Sequence, residues 1–405
     1  MVILLVSTCL LILVVQCILC LISKKYLVAL YAVCYSVPFL GLVSSLWGDT
    51  VTLWPVPIGA YSFYLDDPFV FKLSLVWFLG VTGGLTAYLL ALLVPAGNSS
   101  PRRNAFFSPM DFKLAGLLFL ALSFFFVSLR LINVDAMLEM FAGVEALVVF
   151  SIIAVTAMAF AYPSRYMLTL STLLVLAYSV ANAMTGDRDF VVLVVAYVLG
   201  LMYRYSHLIK LKTLLCVAAF MVVVLSSGVI VSMVRMDVDL TTDNIEEFFL
   251  YNSWNAIILP LVEQLTSFWD GEHLRYGQTY LDMFLSLAPS PVYTAFDVVK
   301  PITLDNPAYW YFITGMGGIH AAGVAFENFG LFGVFLNGFI TVCFFRFVDS
   351  RWRDNDFLQL FLYMLCAASI MHSVWYGEIS LLNAMVFYVL SLGLFFAMKL
   401  VRVLK

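Results

Sequence analysis

The sequence predicts an all-α polytopic membrane protein. Of its 405 residues, 63% are hydrophobic and 11% are charged, and the mean hydropathy is +1.00. A soluble chain of this length would not cover so much apolar surface, whereas a helical bundle in a bilayer leaves it in contact with lipid. The net charge of −4 argues against nucleic acid as a partner.

Apolar runs predict about eleven transmembrane helices, of which 144–161 and 190–206 are short, so that a tilted or re-entrant path stays open for these two. They divide the chain into an N-terminal bundle at 1–234, a large external loop at 235–321 and C-terminal helices at 322–405. The predicted spans are 2–22, 27–46, 69–94, 113–132, 144–161, 166–185, 190–206, 213–234, 322–345, 357–375 and 379–400.

Basic residues collect in alternate connections between these spans. They are Lys24, Lys25, Arg102, Arg103, Lys113, Arg165, Arg204, Lys210, Lys212, Arg346, Arg351, Arg353, Lys399, Arg402 and Lys405. The other connections carry acidic residues, so the positive-inside rule places the N-terminus outside and the C-terminus inside. Because Lys24 and Lys25 follow the first apolar run, we expect that run to be a retained span and not a cleaved signal peptide.

The long external loop is predicted to be structured. Aromatic and aliphatic residues recur in it at roughly helical spacing, namely Phe248, Phe249, Trp254, Ile257, Ile258 and Leu261. This pattern is typical of amphipathic helices at a membrane interface. Four prolines between 289 and 307 then break the chain into turns. The absence of an internal repeat argues against a transporter built from duplicated halves.

The cysteines predict neither disulfides nor a metal site. All seven lie inside apolar runs, and the long loop has none. Cys17 and Cys20 have the spacing of half a metal site, but no second pair or nearby histidine completes it. We therefore expect these cysteines to pack between helices, and we expect no cofactor.

A few arginines fall on the predicted outer side, away from the other basic residues. Cations at a membrane edge are costly and usually functional, and arginine grips phosphate oxygens with a planar fork. Arg188, Arg235 and Arg275 therefore suggest a phosphorylated lipid as ligand. Alternatively, Arg188 is held by its flanking aspartates, Arg235 extends to lipid headgroups, and Arg275 is an exposed loop residue. Arg130 is read as an interfacial anchor.

His320 and Glu327 lie where the loop returns to the membrane. Seven residues correspond to two helical turns, so both side chains are predicted to face one cavity. There His320 would act as a general base near neutral pH. The alternative is that the glycines around them only permit close helix packing.

Two further groups of residues lie in predicted external turns. His372, Trp375 and Glu378 would form a sugar subsite, or equally an aromatic belt with a solvated pair. Asp66 and Asp67 resemble the acidic pairs of some membrane glycosyltransferases, although Asp-Asp-Pro is also an ordinary helix start, which we favour.

Three segments together resemble the Wzy-type polymerases of lipid-linked oligosaccharide repeat units, including the O-antigen and enterobacterial common antigen polymerases. The matching segments are Gly186-Asp187-Arg188 before an apolar run, Tyr276-Gly277-Gln278-Thr279-Tyr280 with Pro289 downstream, and Gly317-Gly318 with Asn328-Phe329-Gly330 and Gly333. Two positions depart from the family's pattern. Ser290 replaces its usual arginine, and its loop-exit glutamate position is Val324, whereas Glu327 is adjacent to Asn328.

The resemblance implies a metal-independent glycosyltransferase of the membrane-embedded C type in a bacterial inner membrane. Its substrates would be oligosaccharides on undecaprenyl pyrophosphate, and its partners a chain-length regulator and a flippase. With the arguments above, it places catalytic roles on Arg188, Arg235, His320 and Glu327. Substrate contacts are expected at Arg275, Tyr276, Asn328, His372, Trp375 and Glu378.

Two other functions stay open at this point. An O-antigen ligase of the same fold would share the arginines, but the His-x-His-Asn-like element of ligases is missing. A lipid-linked oligosaccharide flippase would be expected to line the bundle centre with charge, and here the mid-span positions are nearly uncharged.

Overall fold

The computed structural model describes residues 1–53, 61–93, 109–131, 145–184, 189–205, 210–235, 241, 258–288, 290–301, 320–350, 357–375 and 377–404. Within these ranges the chain is helical apart from connecting turns and one β-hairpin. The helices are α1 (Val2–Ile22), α2 (Tyr26–Ser36), α3 (Pro68–Leu93), α4 (Pro109–Leu131), α5 (Glu145–Ala161), α6 (Arg165–Met184), α7 (Asp189–Arg204), α8 (Leu211–Arg235), α9 (Ile258–Phe268), α10 (Gln278–Ser286), α11 (Ser290–Ala295), α12 (Ala321–Ser350), α13 (Phe357–Trp375) and α14 (Ile379–Val403).

The prediction of an all-α polytopic membrane protein is confirmed in outline. Among the described residues, seven helical segments are long and apolar enough to cross a membrane: Val2–Ile22, Tyr26–Leu46, Pro68–Leu93, Arg165–Met184, Ala321–Ser350, Phe357–Trp375 and Ile379–Val403. Each of the other four predicted spans also coincides with a helix, α4, α5, α7 or α8. The number of spans and the orientation of the termini stay predictions.

Two local features differ from the predicted elements. The second span continues α2 as a 3-10 helix over Val37–Leu46, with Pro38 at its start. Proline lacks the N–H that an α-helical turn would use, which favours this change of helix type. In the first predicted external loop, strand β1 (Thr50–Leu53) pairs antiparallel with β2 (Tyr61–Tyr64). Both strands are rich in β-branched and aromatic residues, which favour extended structure.

The described chain divides into two compact units. The first comprises Met1–Val94, Glu246–Ser350 and Ile370–Asn383. At its centre α3 packs closely on α12 through glycines. A Cβ added to Gly338 would lie 2.3 Å from the Gly80 carbonyl oxygen, and one added to Gly83 would lie 2.2 Å from that of Phe335. Small residues at helix contacts let backbones approach in this way in membranes.

The described part of the long loop predicted at 235–321 contributes helices α9, α10 and α11 to the first unit. Ile258 and Leu261 of α9 are fully buried. The other four residues of the predicted helical pattern, Phe248 to Ile257, lie outside the described residues. Whether these helices rest at a membrane interface stays a prediction.

The second unit comprises Pro95–Ile245, Arg351–Ser369 and Ala384–Lys405. Its core is rich in aromatic rings. Phe387 of α14 contacts Phe119 of α4, with ring centroids 5.9 Å apart, and Phe150 of α5 at 5.2 Å. Arg204 at the end of α7 donates from Nε to the Phe160 carbonyl of α5 at 3.0 Å.

Candidate functional site

Helix α12 is broken near its start, and the break positions two residues of the predicted site. Phe329 and Gly330 have non-helical backbone angles, and Gly330 has φ 61° and ψ −151°, a conformation that favours glycine. The eight residues before the break, from Ala321 to Asn328, are all buried. Glu327 and Asn328 therefore lie at the end of a short buried helical segment.

The loop motif that starts at Arg275 docks on this broken end through the backbone. The Arg275 amide donates to the Glu327 carbonyl at 3.0 Å, and the Tyr276 amide donates to the Asn328 carbonyl at 3.1 Å. Tyr276 (φ 47°) and Gly277 (φ 95°) both adopt left-handed conformations, which turn the chain into α10. The backbone of the motif is thus fixed against residues more than fifty positions away in sequence.

The Asn328 side chain completes this docking. Its Oδ1 accepts hydrogen bonds from the amides of Gly277 at 2.9 Å and Thr279 at 3.3 Å, at the start of α10. Its Nδ2 donates to the Val324 carbonyl at 2.8 Å. Because these amides at a helix start have no partner within the helix, Asn328 acts as their cap from another segment. This side chain is fully buried and is used by the fold, which argues against the predicted contact with substrate.

The carboxylate of Glu327 is fully buried and receives three donors. Arg275 Nε lies 2.5 Å from Oε1, which also accepts from Thr279 Oγ1 at 3.1 Å. Gln264 Nε2 of α9 donates to Oε2 at 2.9 Å. Both carboxylate oxygens therefore already accept hydrogen bonds from other residues of the protein. We refer to Gln264, Arg275–Thr279 and Glu327–Gly330 as the loop–helix junction.

This arrangement changes the predicted role of Glu327 and supports that of Arg275. A carboxylate held by an arginine and two neutral donors is stabilised as an anion and is poorly suited to take up a proton. Arg275 is fixed through Nε while 37% of its side chain stays exposed. Next to it, Tyr276 is 77% exposed. Glu327 thus positions an arginine at the surface of the first unit.

His320 is fully buried, and both of its ring nitrogens contact the backbone. Nδ1 accepts from the Ala322 amide at 3.0 Å, so Nε2 carries the proton that bonds to the Tyr35 carbonyl at 3.1 Å. The ring also contacts Phe39, with centroids 5.0 Å apart. His320 precedes α12 and caps it. We therefore assign His320 to the fold, and its predicted role as a general base is not supported.

Among the predicted residues His372, Trp375 and Glu378, the surroundings of Glu378 are distinctive. Glu378, between α13 and α14, accepts a hydrogen bond from Asn337 Nδ2 of α12. Asn337 also interacts with the hydroxyl of Tyr280 in α10, and its Oδ1 lies 3.5 Å from the Tyr31 hydroxyl. Burial raises the pKa of Glu378 to about 7. We call Tyr31, Tyr280, Asn337 and Glu378 the tyrosine–carboxylate cluster.

The remaining predicted residues are placed as follows. His372 and Trp375 lie in the last turn of α13 and are half-buried. Arg188 lies outside the described residues, and Arg235 is the last residue of α8 with its side chain outside the described set. Asp67 accepts from the Phe69 amide at 2.8 Å, which confirms the helix-start interpretation of the acidic pair.

Sequence reasoning missed Asn337 and Gln264, and it named Thr279 only as part of the motif Tyr276–Tyr280. Asn337 stands alone among apolar residues inside a predicted span, and polar residues at such positions are usually functional, so this signal was available. Gln264 gives no comparable signal in the sequence of the loop. No family model, curated protein or solved structure matches this chain.

Proposed function

We propose that this protein is a membrane glycosyltransferase that polymerises oligosaccharide repeat units carried on undecaprenyl pyrophosphate. The observation that carries the proposal is the loop–helix junction. The two segments that resemble the loop and loop-exit motifs of Wzy-type polymerases are separated by about fifty residues, yet they are joined by backbone and side-chain hydrogen bonds. Two such motifs in contact are expected if they build one site.

The function assigned to this site is to bind the pyrophosphate of the donor as it leaves. Arg275 is a permanently charged group, fixed by a buried carboxylate and partly exposed. Charge-assisted hydrogen bonds from such a guanidinium stabilise the negative charge that develops on the departing oxygen. Arg188 and Arg235 are proposed as further donors to the pyrophosphate on the strength of their sequence setting.

The proposed reaction joins two lipid-linked substrates. A hydroxyl of the incoming repeat unit attacks the anomeric carbon of the growing chain, and the bond from that carbon to the pyrophosphate oxygen breaks. Undecaprenyl pyrophosphate leaves with the electron pair. We place the reaction at the outer face of a bacterial inner membrane, following the positive-inside rule.

The experiment that tests this function is a lipopolysaccharide gel of a strain that lacks the gene, beside the complemented strain. Core carrying a single repeat unit in place of a ladder supports the polymerase. Core without any repeat, with polymer accumulating on the carrier lipid, would indicate a ligase instead. An unchanged ladder, with the other surface glycans also unchanged, would contradict the proposal.

Complementation of the deletion strain with point variants tests the role of Arg275. Arg275→Ala should lower the rate of polymerisation by about 10²–10³, the cost of losing one oxyanion-type donor. Arg275→Lys should recover part of this, because it keeps the charge but loses the fork. Arg165→Ala is the matched control, since Arg165 is an exposed arginine at the start of α6. Equal ladders from Arg275→Ala and Arg165→Ala at equal protein levels would remove Arg275 from the site.

A further inference from the structure

The tyrosine–carboxylate cluster is organised around Asn337. Its amide nitrogen donates to Glu378 Oε1, which fixes one carboxylate oxygen. Its Oδ1 also lies 3.5 Å from the Tyr31 hydroxyl, and its side chain interacts with the Tyr280 hydroxyl. The cluster brings together four separate segments of the first unit, α2, α10, α12 and the turn before α14. A polar group of this kind among apolar helices is costly to bury and is usually functional.

The second oxygen of Glu378 is buried and has no hydrogen-bond partner among the described residues. An unsatisfied buried acceptor costs about 1–3 kcal/mol, so a fold seldom keeps one without a use for it. Glu327 provides the contrast within the same unit, because its two oxygens receive three donors. Of these two carboxylates, only Glu378 keeps an oxygen able to accept a donor from a ligand.

The cluster is adjacent to the loop–helix junction. Tyr280 closes the loop motif that holds Arg275, and its ring stacks on Phe329 at the break in α12, with centroids 6.4 Å apart. Met283 of α10, Val324 of α12 and Ile379, next to Glu378, form one small apolar core. The segment that carries Arg275 therefore leads directly into α10, and Tyr280 in the first turn of α10 interacts electrostatically with Glu378.

We propose that Glu378 is the catalytic base, and that its Oε2 takes the proton from the acceptor hydroxyl. This inference rests on the proposed function and adds to it a named proton acceptor. As the hydroxyl oxygen forms its bond to the anomeric carbon, its proton passes to Oε2, and the electron pair of the breaking bond leaves with undecaprenyl pyrophosphate. The protonated carboxyl then returns its proton to water, so no further reactant is needed.

The electrostatic setting of Glu378 suits this task. A pKa of about 7 lies near the operating pH, where a general base works best. The titratable groups that face it are Tyr31 and Tyr35 of α2 and Tyr280 of α10. Burial and the carboxylate raise the pKa of Tyr280 well above its ordinary value, so it stays neutral and does not compete for the proton.

The test measures kcat/KM for polymerisation by the purified full-length protein in lipid nanodiscs, supplied with lipid-linked repeat units, between pH 5.5 and 8.5. Because the active form is ionised, the wild-type rate should rise with pH through about 7 and then level off. The rate of the Glu378→Gln variant should be lower by a factor of about 10²–10⁴, and it should no longer rise with pH. The variant should still bind undecaprenyl pyrophosphate, measured separately, as tightly as the wild type does.

Glu272→Gln is the control, because Glu272 is an exposed carboxylate in the loop that carries Arg275, and it should leave the rate and the pH profile unchanged. A Glu378→Gln rate within threefold of wild type, or an unaltered rising limb, overturns the inference. If that variant does not fold, Glu378→Asp decides. If the rise of kcat/KM with pH moves to a different pH in this variant, Glu378 is supported as the base. If the rise stays at the wild-type pH, that role is refuted. A wild-type protein without polymerase activity would instead contradict the proposed function.

Discussion

Replacing Glu327 with alanine should destabilise the protein more than any other single change at the loop–helix junction. The substitution leaves Arg275 Nε, Thr279 Oγ1 and Gln264 Nε2 without their shared acceptor. Removing one partner of a buried ion pair costs about 3–5 kcal/mol. Because 37% of the Arg275 side chain is exposed, water can recover part of this loss. We therefore expect the low end of that range, about 3 kcal/mol.

Glu327→Gln separates the charge from the hydrogen bonds. The new amide oxygen can accept from Arg275 and Thr279, while its nitrogen would face the Gln264 nitrogen, donor against donor. Gln264 Oε1 is buried and has no partner among the described residues, so a flip of the Gln264 amide would bring this acceptor to the new donor. The remaining loss, that of a charged acceptor replaced by a neutral one, should be about 1 kcal/mol.

The assay is equilibrium unfolding in mixed micelles, applied to a double-mutant cycle of Glu327→Ala and Arg275→Ala. The two residues are in direct contact, so we expect a coupling energy of about 1–3 kcal/mol. Glu272→Ala is the control and should change stability by no more than about 0.5 kcal/mol. Single-variant losses that add to within about 0.5 kcal/mol would refute the coupling between Glu327 and Arg275, since independent sites behave in that way.

Three more substitutions test the remaining contacts, by the same unfolding assay, by reaction rate or by hydrogen exchange. Gly338→Ala places a Cβ 2.3 Å from the Gly80 carbonyl and should cost about 1–3 kcal/mol, whereas Gly393→Ala, with nothing within 4 Å, should cost nothing. A neutral Gly338→Ala would contradict the close helix contact. His320→Ala should cost about 2 kcal/mol and leave the rate of the folded fraction unchanged, so a selective loss of rate would restore its role as a base. Asn328→Ala should speed hydrogen exchange of the α10 amides about tenfold, and unchanged exchange would show that the cap is dispensable.

The helices of this fold follow from hydropathy, but the junction does not. Each predicted span is a local property of twenty or so residues, and a helix lies at each of them. The bonds to Glu327 join residues 48 and 63 positions apart, and no local pattern specifies such pairings. The family resemblance placed the two motifs in one protein and gave no contact between them.

The setting of His320 differs from the predicted one for a specific physical reason. The seven-residue spacing from His320 to Glu327 implies a common face only if both residues belong to one helix. Helix α12 begins at Ala321, so His320 stands outside it and its ring folds back onto the first turn. A histidine beside the start of a helix is as well suited to cap backbone amides as to catalyse, and the sequence does not distinguish these roles.

Two glutamates of the first unit, Glu327 and Glu378, show why residue type alone does not assign chemistry. Glu327 and Glu378 are of the same residue type. Both interact electrostatically with Tyr280. Glu327 is surrounded by donors and is held as an anion, which suits a group that positions a cation. Glu378 has one amide partner and a pKa near neutrality, which suits a group that exchanges protons. Their different environments, and not their positions in a motif, assign the positioning role to one carboxylate and the proposed catalytic role to the other.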